Sequence, residues 1–166
     1  MKKLVKLVPA ALLAAAILAP HPLAAAKPPS VVATINGGGT AIMDPRGSFL
    51  GLGGTTAFGI GVKLRSDGTA TGHFDCVDQV GSTFPGNFFG EFTSGSQNAD
   101  GSWSFSGIGQ VIAIGGGPLA GNLPFTVTIQ SFGGAGVSHW TLDVPAFGGI
   151  ICDETLTSGQ IVALLH

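Results

Sequence analysis

His73-Phe74-Asp75-Cys76-Val77-Asp78 is the densest run of potentially reactive side chains in the 166-residue sequence. Alternate residues of an extended strand face opposite sides, so His73 and Asp75 share one face while Cys76 points the other way. A metal would need at least one more ligand beside that pair, and no spacing in the sequence supplies it. Solvated outer-face residues are the plainer reading. Ser138-His139-Trp140 and Asp153-Glu154 hold the residue types of a hydrolase triad, but there is no G-x-S-x-G elbow, and types alone do not bring a base to its nucleophile. Adjacent carboxylates in a strand also diverge, so Asp153 and Glu154 read as turn or edge-strand charges rather than a glycosidase acid pair. Gly37-Gly38-Gly39 and Gly115-Gly116-Gly117 precede neither Lys-Ser nor Lys-Thr and open no helix, so they read as loops, not phosphate cradles. Trp103 and Trp140 could stack on a sugar if exposed, but alternation places both inward. No catalytic, metal or cofactor residue is expected.

The two cysteines, Cys76 and Cys152, are the remaining chemistry. A disulfide between them would close a loop of about 75 residues and contribute ~4 kcal/mol in the chain-entropy account. Two buried free thiols are the alternative, because spacing in sequence does not fix spacing in space.

The elements that must position these residues are strands. In Thr56 to Asp78, Phe58, Ile60, Val62 and Leu64 alternate with small or charged residues, and Ala70, Gly72, Phe74 and Cys76 do the same. Both arms put even-numbered residues inward. That parity requires a three-residue loop, Ser66-Asp67-Gly68, with Gly68 in the left-handed position. The predicted partners are Val62 with Gly72, Ile60 with Phe74, and Phe58 with Cys76.

The same alternation recurs along the chain. Val31 to Asn36 opens the folded part, and Gly37-Gly38-Gly39 divides it from Thr40 to Met43. Phe88 and Phe92 share a face with Gly90. Trp103, Phe105 and Val111 face inward, as do Phe125, Val127 and Ile129, and then Ser138, Trp140, Leu142 and Val144. Gly115 to Asn122 reads as a loop, and two short strands flank Thr157-Ser158-Gly159. No window carries a helical period. The chain is therefore all-β, and an antiparallel meandering β-barrel of about eight to ten short strands is expected, with a two-sheet β-sandwich as the alternative. Closure suits a chain with few charges to guard an open edge.

Residues 1-26 read as a cleavable signal peptide. Lys2, Lys3 and Lys6 precede the apolar run Leu7 to Ala19, which is too short to span a bilayer, and Ala24-Ala25-Ala26 offers a cleavage site. An uncleaved anchor is the alternative. Residues 27-30 form an extended leader and 31-166 a single domain. Export to the periplasm, the cell surface or the medium is expected, with no stable membrane span after cleavage. The remaining part carries Lys27, Arg46, Lys63 and Arg65 against nine acidic residues, a net charge of −5, so nucleic acid is not an expected partner. All 28 glycines lie in this part, between and within apolar alternations, which suits turns, bulges and close strand packing.

Asn36-Gly37-Gly38-Gly39-Thr40, Ala57-Phe58-Gly59-Ile60-Gly61-Val62-Lys63, Asp67-Gly68 leading to Gly72-His73-Phe74, and Leu156-Thr157-Ser158-Gly159-Gln160-Ile161 together resemble the post-COAP domains of exported bacterial proteins. Those domains read T-G-G-G, then F-G-F-x-x-K, then D-G with a following G-x-L or G-x-F strand. This chain departs from the pattern at Ile60-Gly61 and before Thr55. The resemblance implies a β-rich exported domain and assigns no catalytic residue.

Three functions compete. The first is an exported non-catalytic module, structural or binding, at the cell surface or outside the cell. The second is a barrel holding a small apolar ligand among its inward Phe side chains. The third, a secreted enzyme, has the fewest ionisable residues to draw on.

Overall fold

The computed structural model describes residues 27–48, 51, 53–79, 86–113 and 117–166. The expected signal peptide and most of the Gly115 to Gly117 cluster lie outside them. Apart from a 3-10 turn at Pro145–Phe147, regular structure among the described residues is strand. In chain order these are β1 (Val31–Met43), β2 (Gly54–Arg65), β3 (Thr69–Asp78), β4 (Gly86–Gln97), β5 (Trp103–Ala113), β6 (Pro118–Ser131), β7 (Gly133–Gly134), β8 (His139–Val144), β9 (Gly149–Leu156) and β10 (Gln160–Leu165).

Eight of them close into an antiparallel barrel, β1-β2-β3-β4-β5-β6-β8-β9 and back to β1, while β10 and β7 lie outside the ring. Strand β1 makes the closure. It pairs with β2 along nearly its whole length on one side. On the other side it pairs with β10 at Ala33 to Gly38 and with β9 at Ala41 to Met43. A barrel, not a sandwich, is therefore the architecture.

The central hairpin has the expected register: Val62 opposite Gly72, Ile60 opposite Phe74, Phe58 opposite Cys76. Its loop is Ser66 to Gly68, closed by the Gly68 N–H donating to the Arg65 carbonyl at 3.0 Å, and Gly68 has φ +83°. A residue without Cβ adopts that left-handed backbone at little cost.

Two expected loops are strand instead. Gly37 to Gly39 do not break β1 but continue it. At this point β9 ends and β10 begins, and the corner between them presses on the strand: a Cβ on Gly39 would lie 2.0 Å from the Ser158 carbonyl oxygen. The glycines are there to let backbone meet backbone. Likewise β6 starts at Pro118, because Pro118 to Leu123 pair with β5 through an irregular register. Only turn-like composition suggested a loop.

Inside the barrel the inward rows meet as aromatics. Phe58, Trp140, Phe74, Phe88, Phe125, Phe92, Phe105 and Trp103 form one unbroken chain, each ring centroid 5.0–6.4 Å from the next. Such distances suit tilted and edge-to-face ring pairs. Inward glycines leave the space. A Cβ on Gly90 would lie 2.5 Å from the Phe125 ring, one on Gly95 2.4 Å from Phe105, and one on Gly109 2.4 Å from Phe88. Large residues on one strand therefore interlock with bare backbone on another.

Candidate functional site

Strand β9 bears Cys152 and Glu154 two residues apart, so both point into the barrel, as Leu156 does. Cys76, near the end of β3, points inward as well, and Thr56 of β2 stands opposite Asp78 in the hairpin register. The barrel wall brings these rows together. One sulfur from each cysteine and one Glu154 carboxylate oxygen all lie within 4.8 Å of one another. The Cys76 thiol faces Glu154 Oε1 at 3.8 Å, while the Thr56 hydroxyl donates to Glu154 Oε2. Glu154 is 0% exposed.

The electrostatics of this cluster follow from burial. Loss of solvent pushes the Glu154 carboxyl up to about 7. The Thr56 hydrogen bond opposes that shift, and the charge of Asp78 adds to it. The Cys76 thiol is raised well above its ordinary value by its hydrogen bond with Cys152, by burial and by the nearby acids. For Cys152 the hydrogen bond from Cys76 pulls downward, but burial together with Glu154 and Asp78 outweighs it, and the thiol is raised. None of the described lysines, arginines or histidines is buried. The cluster is thus a dry group of acids with no buried side-chain cation to balance them.

The expected disulfide is not formed: Cys76 and Cys152 are both free thiols. Their side chains do meet, but they face each other and Glu154 as protonated groups rather than closing on one another. Glu154 is the residue that sequence reasoning missed. It is no edge charge, since β9 is a strand of the ring, and its even parity with Cys152 and Leu156 was the signal that placed it inside.

The outer wall holds the other predicted residues. His139 hydrogen-bonds Asp153, from neighbouring strands, on the outer face. Ser138 does not join them. It is buried, and its hydroxyl donates to the Gly133 carbonyl at 2.6 Å. The Ser138 hydroxyl is therefore engaged by backbone, while His139 and Asp153 pair with each other. His73 and Asp75 line a separate outer cleft of about 390 Å³ with Glu91 and Gln110 around Phe89 and Ile108. Register explains it: His73, Glu91 and Ile108 form one rung across β3, β4 and β5, and Asp75, Phe89 and Gln110 form the next. Partial burial raises the Asp75 carboxyl, and His73 pulls the other way. Trp103 and Trp140 are both in the core.

No protein family, curated protein or solved structure matches this chain. No helix among the described residues is long and apolar enough to cross a membrane.

Proposed function

We propose that this protein is an exported, non-catalytic β-barrel module, structural or binding, that meets its partners through its outer wall. The observation carrying this reading is the unbroken chain of eight aromatic rings through the barrel. A barrel of eight strands has an interior just wide enough for side chains to fill it or for one small ligand, and rings in mutual contact take that space. Recognition then falls to surfaces such as the cleft over Phe89 and Ile108, where an apolar floor is rimmed by His73, Asp75, Glu91 and Gln110. The division of Ser138 from His139 and Asp153 supports a module without triad chemistry. The short motifs shared with post-COAP domains point the same way, toward export and a surface role.

A fluorescent apolar probe such as N-phenylnaphthylamine tests the filled interior. The expected result is no saturable quenching of Trp103 and Trp140. Saturable quenching with competition by fatty acids would replace this reading with an interior ligand site. Fractionation of producing cells, with the N-terminus of the product determined by mass spectrometry, tests export. A product retained in the cytoplasm with residues 1-26 intact would refute it.

A further inference from the structure

The inward Cys76, Cys152 and Glu154 are more than wall packing. A barrel core of this kind gains most from apolar side chains, and a fully buried carboxylate beside two thiols costs desolvation that an apolar residue would not. We propose that these three residues bind one thiophilic divalent cation of the zinc class inside the barrel.

The donor set selects the ion. Two thiolates with one carboxylate suit zinc or cobalt(II), whereas magnesium and calcium take oxygen donors. The spacing agrees. Around a tetrahedral ion with sulfur at about 2.3 Å and oxygen at about 2.0–2.2 Å, neighbouring donors stand roughly 3.5–3.8 Å apart. The three donor atoms here already lie within 4.8 Å of one another, so side-chain rotations that move the donors by about an ångström close the set.

The supporting residues agree as well. Thr56 donates its hydroxyl to Glu154 Oε2, which fixes the carboxylate plane and leaves Oε1, the oxygen facing Cys76, as the ligand. Thr56 is thus a positioning residue of the kind that commonly orients a metal ligand. Asp78, across the hairpin from Thr56, carries a further carboxylate whose charge is felt by both cysteines and by Glu154. Its carboxylate stands outside the set of three donor atoms that meet.

With the three donors deprotonated, a divalent cation offsets two of their three negative charges. Binding exchanges protons for metal: the ion displaces one proton from each thiol and one from the protonated carboxyl, leaving two thiolates and a carboxylate around a 2+ centre and three protons in solvent. The net charge left on the three-ligand set is −1. No buried lysine, arginine or histidine among the described residues competes for that role.

Cobalt(II) is the probe, added to the full-length protein purified with reductant and stripped of metal. The expected result is one cobalt per chain, with thiolate-to-cobalt charge-transfer absorption that is displaced by zinc. Cys76→Ser and Cys152→Ser should each remove most of that absorption. Thr56→Val should keep the band but weaken affinity by about 10–100-fold. No charge-transfer band, or one unchanged in both serine variants, overturns the proposal. So does a product two hydrogens lighter with no titratable thiol, because the cysteines would then be joined to each other. If the serine variants fail to fold, X-ray absorption on the wild-type zinc form decides: two sulfur neighbours at about 2.3 Å are expected, and a shell of nitrogen and oxygen alone overturns the site. These outcomes do not depend on whether recognition uses the outer wall.

Discussion

Replacing Gly90 with alanine should destabilise the barrel by adding a single methyl group to its centre. Gly90 lies on the inward face of β4 between Phe88 and Phe92, opposite Phe74 and Gly109. Its backbone is not in the left-handed region, so alanine brings no conformational penalty and the effect isolates packing. The new Cβ would sit 2.5 Å from Cε1 and Cζ of Phe125 and 3.0 Å from Cε1 of Phe88. Carbon atoms in good contact stand about 3.5–4.0 Å apart, so the overlap is roughly 1 Å. The Phe125 ring cannot simply swing aside, because Phe88 and Phe92 hold it at 5.0 and 5.5 Å. Overpacking of this kind costs about 1–3 kcal/mol, against which the stiffer unfolded chain of alanine returns ~0.4–1 kcal/mol. Thermal unfolding followed by circular dichroism should show Tm lowered by several degrees, at about 2–4 °C for each kcal/mol in a chain of this size. Phe125→Leu in the same background should restore part of the loss, with a coupling of about 1 kcal/mol in a double-mutant cycle. An unchanged or raised Tm for Gly90→Ala, or a coupling near zero, would refute the interlocked core.

Gly39→Ala should be worse, costing about 3 kcal/mol or more, because the Ser158 carbonyl it meets is backbone and Gly39 has φ +152°. Gly68→Ala, whose Cβ would meet only the Gly95 carbonyl oxygen at an ordinary 3.9 Å, should cost only about 1–2 kcal/mol from its left-handed φ, and urea unfolding of the two variants should rank them so. Trp140→Ala should cost about 3–5 kcal/mol. Trp140→Phe should cost much less, since the buried indole N–H has no hydrogen-bond partner among the described residues and its removal relieves that penalty; equal losses would contradict it. Ellman's reagent should find no reactive thiol in the native metal-free protein and two after unfolding in guanidinium, whereas prompt native labelling would mean that Cys76 and Cys152 are not buried.

The hairpin from Thr56 to Asp78 was readable to the residue because two local rules, face parity and turn chemistry, agree there. The inward rows around Phe88, Phe105, Phe125 and Trp140 were readable for the first of those reasons. Gly37 to Gly39 misled, because glycine favours loops by composition, while the need for close approach to Ser158 and Gly159 arises only when a strand more than a hundred residues away arrives. Pro118 to Asn122 misled in the same way. Glu154 was hidden by its charge: a carboxylate is assumed to face water, yet the two-residue step from Cys152 to Leu156 leaves it no choice. The meeting of Cys76 with Cys152 was expected, but whether two sulfurs bond or only touch depends on a few ångströms that no spacing encodes.

Strand β1 is the first wall element to leave the ribosome and the last to be satisfied. Its second side waits for β9 and β10, made more than a hundred residues later, so a nascent chain exposes an open sheet until those two strands have emerged. Pairings between strands so far apart in sequence are slow to form, and an unpaired edge held open for that interval invites association with other chains. The same seam that seals the finished cylinder is therefore where a truncated or stalled product would first aggregate.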